Sequence, residues 1–100
     1  MSLHLLQHET VFLREFSKHY LNEVSFDAEV EREMGENRYS LVEVNHALKT
    51  GIVISSEKQD AHGATWIVLG ENCDDKEMTI TLEVFCDRYQ MCIKRVVVSR

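Results

Sequence analysis

The spacing of apolar residues along this chain changes near Gly51 from a period of about 3.6 to a period of about 2. Before that glycine, apolar side chains recur every three or four residues, as they do on the buried face of a helix. After it, apolar and polar residues alternate, as they do in a strand with one buried face. The pattern predicts helices in the first half of the chain and strands in the second.

Two helices are predicted in the first third of the chain. The first runs from residue 3 to about residue 24, a stretch without Gly or Pro, and carries an apolar stripe on one side. The stripe consists of Leu5, Phe12, Phe16 and Tyr20. A shorter second helix is capped by Ser25 or Asp27, passes through Val30 and Met34, and stops at Gly35.

The start of a third helix is marked by a capping box. The Ser40 hydroxyl is expected to accept from the Glu43 amide, and the Glu43 carboxylate from the Ser40 amide. Tyr39, just before the cap, supplies one half of a hydrophobic staple, and Gly51 ends the helix after residues 41–50. The predicted buried stripe is Leu41, Val44, Ala47 and Leu48.

Four strands follow the third helix. They begin at residues 52–54 and continue through residues 65–69, 78–86 and 91–98. The connecting loops are too short for parallel crossovers, so the strands are expected to form an antiparallel meander. The predicted fold is a single α+β domain over residues 1–100, with two to three N-terminal helices packed on one face of a four-stranded antiparallel sheet.

The charges of this chain are unevenly distributed. The net charge is −6, and residues 23–36 hold six acids against Arg32 alone, a run typical of a solvated helix face. Residues 88–100 hold four bases and no acid. No apolar run is long enough to span a bilayer and the N-terminus has no signal-peptide pattern, so no membrane partner is expected and the cytoplasm is the predicted compartment.

No cofactor or metal is expected, because nucleotide-binding loops, zinc-protease motifs and zinc-type cysteine spacings are missing from the sequence. Strict alternation along the last strand predicts that Lys94 and Arg95 point to opposite faces of the sheet. The open face would then hold one of these two bases and, with it, Arg88, Lys58, the hydroxyls of Thr79 and Thr81, Glu83 and Tyr89. Such a surface fits either a bound phosphodiester or a solvated sheet face.

Residues 37–97 resemble a family of small uncharacterised bacterial domains. The resemblance rests on residues 37–51, which read R-x-S-x-x-E-V-x-x-A-L-x-x-G from Arg38 onward, on the strand 66–70 with its late glycine, and on the terminal strand 93–97. That family is similar to the RelE- and MqsR-type mRNA interferase toxins, which place helices before a four-stranded sheet. These toxins are usually basic, whereas this chain is acidic.

The resemblance implies RNA cleavage without a metal ion. A general base would activate the ribose 2′-hydroxyl and cations would stabilise the charged transition state. The candidate catalytic residues are Arg38, Lys58, His62, Glu83, Tyr89, Lys94 and Arg95. The implied partners are RNA or a small antitoxin-like protein.

Two further hypotheses compete with a toxin-like ribonuclease. One is a non-catalytic protein-interaction module that uses a sheet edge or the acidic segment 23–36. The other is a small-ligand or enzymatic role of unknown type. A ribonuclease requires the candidate bases and His62 to converge on one cleft, and the interaction module does not.

Overall fold

The computed structural model describes residues 7–19, 24–58, 63–72, 74–85 and 90–98 and, of residues 7, 8, 16–19 and 58, the backbone alone. The elements in these ranges are α1 (Gln7–His19), β1 (Val24–Phe26), α2 (Ala28–Gly35), α3 (Leu41–Thr50), β2 (Ile52–Lys58), β3 (Gly63–Glu71), β4 (Glu77–Phe85) and β5 (Gln90–Val98). The predicted α+β class is confirmed. No helix within these ranges has the length and apolar character needed to cross a bilayer.

The sheet is mixed and has five strands in the described part of the chain, in the order β1-β5-β4-β3-β2. Strands β2 to β5 form the predicted antiparallel meander, but β1 adds to β5 in parallel. The prediction of four antiparallel strands is therefore wrong in this respect. Three residues are too few to show a period of two, and Val24 also fits the apolar stripe of the first predicted helix.

The first two helices differ from their predictions mainly at their ends. Helix α1 ends at His19, Val24 belongs to β1, and the remaining predicted residues, 3–6 and 20–23, lie outside the described residues. Helix α2 begins after Asp27 and ends at Gly35, as predicted, but the Asp27 side chain forms no capping hydrogen bond among the described residues. The left-handed residue that follows it is Asn37, with φ of 62°.

Helix α3 has the predicted bounds. The Ser40 hydroxyl accepts from the Glu43 amide at 3.2 Å, which satisfies one free N–H of the first turn. Within the described residues the Glu43 carboxylate accepts from the Ser40 hydroxyl and from the Asn72 side chain, not from the Ser40 amide as predicted. Leu41 is half exposed rather than buried.

The core lies between the three helices and one face of the sheet. Val44 and Leu48 of α3 are fully buried in the same cluster as Ile80 and Leu82 of β4, as the apolar pattern predicts. The other buried apolar residues of this cluster are Leu13, Val30, Tyr39, Ala47, Val53, Trp66, Val68, Met78, Val84, Met91, Ile93 and Val96. Their side chains form the common core of the described elements.

Two side-chain contacts fix α1 on this core. The Thr10 hydroxyl accepts from the Val53 amide at 2.9 Å in a buried position, next to a register shift in β2. Phe12 meets Trp66 edge-on, with ring centroids 5.8 Å apart. Edge-to-face pairs of this kind add about 0.5–1.5 kcal/mol to the burial of both rings.

The backbone of α3 approaches two glycines more closely than any other residue would allow. A Cβ on Gly70 would lie 2.4 Å from the Ala47 carbonyl oxygen, and one on Gly51 would lie 2.6 Å from the same atom. Neither glycine has a positive φ, so closeness rather than backbone conformation requires glycine here. Helix α3 is thereby seated directly on β3.

The turn between β3 and β4 ties the start of α3 to the same strand. Asn72 is buried, and its side-chain oxygen accepts from the amides of Asp74 and Lys76, both at 2.9 Å. Its side-chain nitrogen donates to the Glu43 carboxylate at 3.3 Å. The Asn72 side chain thus closes this turn on its own backbone.

Replacing Gly70 by alanine should lower the free energy of unfolding by about 1–3 kcal/mol, because α3 must move away from β3 to admit the methyl group. Gly35→Ala is the matched control. Nothing lies within 4 Å of the Cβ it would add, and alanine favours the helix by about 1 kcal/mol. Urea unfolding of both variants checks the prediction, and equal effects of the two changes would contradict it.

Candidate binding groove at the sheet edge

A β-bulge in β5 decides where the two adjacent bases of this strand point. Arg95 pairs with Thr81 and Ile93 pairs with Leu82, so Lys94 is an extra residue between two ladder positions. The buried positions shift accordingly, from Met91 and Ile93 before the bulge to Val96 after it. The expectation that Lys94 and Arg95 point to opposite faces is therefore wrong.

Both bases belong to the open face of the sheet, which is the face turned away from the helices. Arg95 lies opposite Thr81, and Lys94 forms an ion pair with Glu83, whose carboxylate oxygen is 3.5 Å from the ammonium nitrogen. The pKa of Lys94 is raised by its electrostatic interaction with the Cys92 side chain, then by the carboxylates of Glu83 and Asp27. Lys94 is therefore protonated at neutral pH.

Of the remaining candidate residues, Arg38 and the backbone of Lys58 fall within the described ranges. Arg38 lies in the loop before α3 and pairs with Glu36 at 3.1 Å and with Glu33 at 3.8 Å. Lys58 belongs to β2, at the far side of the sheet and three strand spacings from β5, or about 14 Å. His62 and Tyr89 lie outside the described residues, as does the Lys58 side chain.

The outer edge of β5 is covered along only part of its length. Strand β1 pairs with Met91, Cys92 and Ile93, and the Asp27 amide donates to the Ile93 carbonyl at 2.9 Å. The chain then turns into α2. Among the described strands, none pairs with residues 94–98 on this side, although β4 pairs with residues 95–98 on the other.

A groove of about 960 Å³ runs along this open edge. Its floor is formed by Lys94, Arg95 and Val96–Val98 of β5, its walls by α2 and the loop before α3, and its far end by Lys76. The acidic side chains that line it are Asp27, Glu29 and Glu33, and the basic ones are Arg38, Lys76, Lys94 and Arg95. Bases therefore exceed acids in this groove although the whole chain is acidic.

Most of these charges already have partners. Glu29 pairs with Arg32 at 2.6 Å, Glu33 with Arg38, and Lys94 with Glu83. Arg95 and Lys76 form no ion pair within the described part of the chain. These two side chains carry the uncompensated positive charge of the groove.

Tyr39 lines the groove with an unusual hydroxyl. The residue is 3% exposed, and its hydroxyl oxygen is buried without a hydrogen-bond partner among the described residues. Burial raises the pKa of Tyr39 to about 12, and the Glu33 carboxylate, which is close to the hydroxyl but outside hydrogen-bond geometry, acts in the same direction. The hydroxyl is therefore a neutral donor at physiological pH.

A smaller concavity of about 360 Å³ lies at the other end of α3, lined by His46, Thr50, Gly70, Glu71 and Glu77 among others. It holds one imidazole and two carboxylates but no unpaired buried polar group. Nowhere in the described ranges are three or more His, Cys, Asp or Glu side chains grouped so that they could hold a metal ion. The groove along β5 is therefore the stronger binding-site candidate of these two concavities.

Comparison with known proteins gives no family for this chain: no protein-family model, no curated protein and no solved structure matches it. The resemblance to the interferase toxins thus stays a prediction.

Three features of the groove are absent from the sequence-based candidate set. The sequence predicts Tyr39 only as one half of a hydrophobic staple, and Lys76 is not among the candidate residues. The open edge at Val96–Val98 depends on the length of β1, which no local pattern shows. A buried tyrosine beside an acid-rich helix was the one available signal, and it does not by itself distinguish a staple from a binding residue.

Tyr39→Phe should leave the free energy of unfolding at pH 7 unchanged or raise it by up to about 1 kcal/mol, because a buried hydroxyl without a partner is removed. Thr10→Val is the contrasting variant. It leaves the buried Val53 amide without an acceptor and should cost about 1–3 kcal/mol. A loss of 1 kcal/mol or more in Tyr39→Phe, roughly the value of one hydrogen bond, would show that the hydroxyl is bonded within the fold.

The stabilities of the wild type and Tyr39→Phe should also diverge in alkaline solution. Because the pKa of Tyr39 rises from 10.0 in the unfolded chain to about 12 in the fold, the folded state holds this proton more tightly. The free energy of unfolding is therefore unaffected by the titration of this group below pH 10 and falls as the pH rises towards 12. Relative to Tyr39→Phe, the wild type should lose roughly 2–3 kcal/mol over this interval. Urea unfolding at several pH values measures the difference, and a constant difference would contradict the raised pKa.

Proposed function

We propose that this chain is a non-catalytic protein-interaction domain that binds an extended segment of a partner protein along the open edge of β5. The observation that carries the proposal is the mismatch between β1 and β5: β1 covers three residues of a nine-residue strand. Edges of this kind accept an added strand through main-chain hydrogen bonds, while flanking side chains give specificity.

The direction of the backbone groups supports the proposal. The Ile93 carbonyl points towards β1, so its cross-strand partner Leu82 directs its own backbone groups away from β5. Strict alternation along β4 then gives Ile80 the same direction as Leu82. Val96, the partner of Ile80, and Val98, two residues later, therefore direct their N–H and C=O groups to the open edge.

Binding at the edge of β5 needs side-chain contacts in addition to main-chain hydrogen bonds. Val96 and Val98 each present one donor and one acceptor, and at about 0.5–1.5 kcal/mol for each bond these give a net gain of roughly 2–6 kcal/mol. That is too little to offset the cost of association, so contacts with side chains must supply the rest. The charged walls and Tyr39 lie where such contacts would form.

Part of the acidic segment 23–36 lies beside the open edge of β5. Glu29 and Glu33 of α2 line the groove, so the two surfaces considered for an interaction module, the sheet edge and the acidic segment, meet there. Arg32 holds Glu29 and Glu36 at 2.6 Å and 2.9 Å on the exposed side of the same helix. Helix α2 thus forms one wall of the groove and not a separate binding surface.

Hydrogen exchange in the free protein gives the first test. The amides of Val96 and Val98 should exchange rapidly, and the amide of Val97, which points to β4, should be protected. Protection of Val96 and Val98 in the free protein would mean that the chain covers its own edge. The proposal would then fail.

Selection from a random peptide library displayed on phage gives the second test. Enriched peptides should protect the Val96 and Val98 amides when bound, and Val98→Pro, which removes an outward N–H without breaking the β4 ladder, should weaken binding at least about tenfold. Val98→Ala keeps that N–H and is the matched control, with an expected change of less than about threefold. Equal binding by both variants would overturn strand addition at this edge.

Single-stranded RNA is a second candidate ligand, favoured by one observation. The bulge brings Lys94 and Arg95 to the open face beside the hydroxyl-bearing Thr79 and Thr81, where a phosphodiester fits two cations and two donors. The Lys94–Glu83 pair and the net charge of the chain weigh against it. In that case the chain would act on RNA as the toxin resemblance implies.

RNA binding makes a distinct quantitative prediction. With two phosphates neutralised by Lys94 and Arg95, the slope of log affinity against log salt should be about −1.4, or −0.7 for each contact. Arg95→Ala should halve this slope, whereas Arg14→Ala on α1, an exposed base of the same kind, should leave it unchanged. Filter binding to a mixed-sequence RNA at low salt measures it, and no detectable binding would exclude this candidate.

A further inference from the structure

We infer that the segment bound at the open edge of β5 carries an acidic side chain on the open-face side and, at a neighbouring position, an uncharged hydrogen-bond acceptor on the helix side. This inference rests on the proposed function and specifies the chemistry of the partner. Two independent features carry it: the unpaired charge of Arg95 and the unpaired hydroxyl of Tyr39.

The acidic position follows from Arg95. Its side chain lies on the open face, lines the groove, and forms no ion pair within the described residues. A strand added beside β5 places alternate side chains on this face, next to Arg95 and to the exposed Val97. A carboxylate at this position can form two parallel hydrogen bonds with the Arg95 guanidinium. A lysine or arginine there would be repelled by the positive charges of Arg95 and Lys94.

The uncharged acceptor follows from Tyr39. Residues of the added strand that alternate with the acidic one point to the helix side, where Tyr39 holds a buried donor without a partner. The neighbouring Glu33 carboxylate opposes a second negative charge at this place. Asn, Gln, Ser or Thr provides an acceptor oxygen without that repulsion.

Charge complementarity also decides between classes of occupant. A second copy of this chain would offer the same edge, Lys94 to Val98, which contains two bases and no acid to neutralise Arg95. RNA would bring its phosphates against Asp27, Glu29 and Glu33 in the groove walls. An extended segment of another protein, acidic on one side and polar on the other, places a carboxylate beside Arg95 and an uncharged acceptor beside Tyr39.

Library selection with three forms of the protein tests this inference. Peptides enriched by the wild type should carry Asp or Glu at one position and Asn, Gln, Ser or Thr one residue away. Arg95→Glu should replace the acidic preference by Lys or Arg while the bound peptides still protect the Val98 amide. Tyr39→Phe should weaken the wild-type peptides about fivefold or more without lowering the protein's unfolding temperature.

Each other outcome has a defined meaning. In one outcome, peptides protect the Val98 amide while those selected by the wild type and by Arg95→Glu show the same charges. That result would overturn the inference and leave strand addition intact. The absence of any peptide that protects Val98 would overturn both. Concentration-dependent dimers that protect Val98, or RNA that displaces selected peptides and binds tighter than they do, would assign the groove to a different occupant and overturn the inference.

Discussion

The seating of α3 on β3 is the contact on which the remaining architecture depends. The Ala47 carbonyl lies where a Cβ of Gly51 or Gly70 would be, and the Glu43 carboxylate holds the buried Asn72 at the other end of the helix. Both contacts join α3 to β3 and to its following turn. Because they fix the helix at two points, the loop that leads into it is held in place as well. That loop carries Arg38 and Tyr39, so the wall of the groove is positioned by glycines on the far side of the core.

A second constraint concerns the outer edge of β5, which is protected at Lys94 and open at Val96–Val98. A bulge and a lysine are the usual devices that keep an edge strand from pairing with other chains, and both occur at Lys94. They lie at the point where β1 ends and leave Val96–Val98 without such protection. The protected stretch separates the chain's own short strand from the free one. An added strand therefore meets an edge of defined length instead of an unlimited template for aggregation.

Local patterns predicted the elements whose causes are local. The Ser40 cap of α3 and the alternation through β4 each depend on neighbours a few residues apart, and both are confirmed. The other half of the capping box differs, because the Glu43 carboxylate accepts from the Ser40 hydroxyl and from Asn72. Strand β1 was missed because its evidence lies in Met91–Ile93, far along the chain. The face of Arg95 was missed because a bulge changes alternation through register, and register is a property of two strands. The groove combines both kinds of information, which explains why its residues were only partly predicted.

Tyr39 connects the stability of this fold with its proposed binding role. A buried hydroxyl without a partner costs stability, and the shape of a tyrosine is reproduced at that position by phenylalanine without this cost. A staple before α3 needs only the ring. The hydroxyl would gain from an acceptor that a bound segment brings to the groove, which Tyr39 lines. A fold that retains an unpaired donor beside an unpaired strand edge has two unsatisfied sets of hydrogen-bonding groups in one place, and one extended segment can satisfy both.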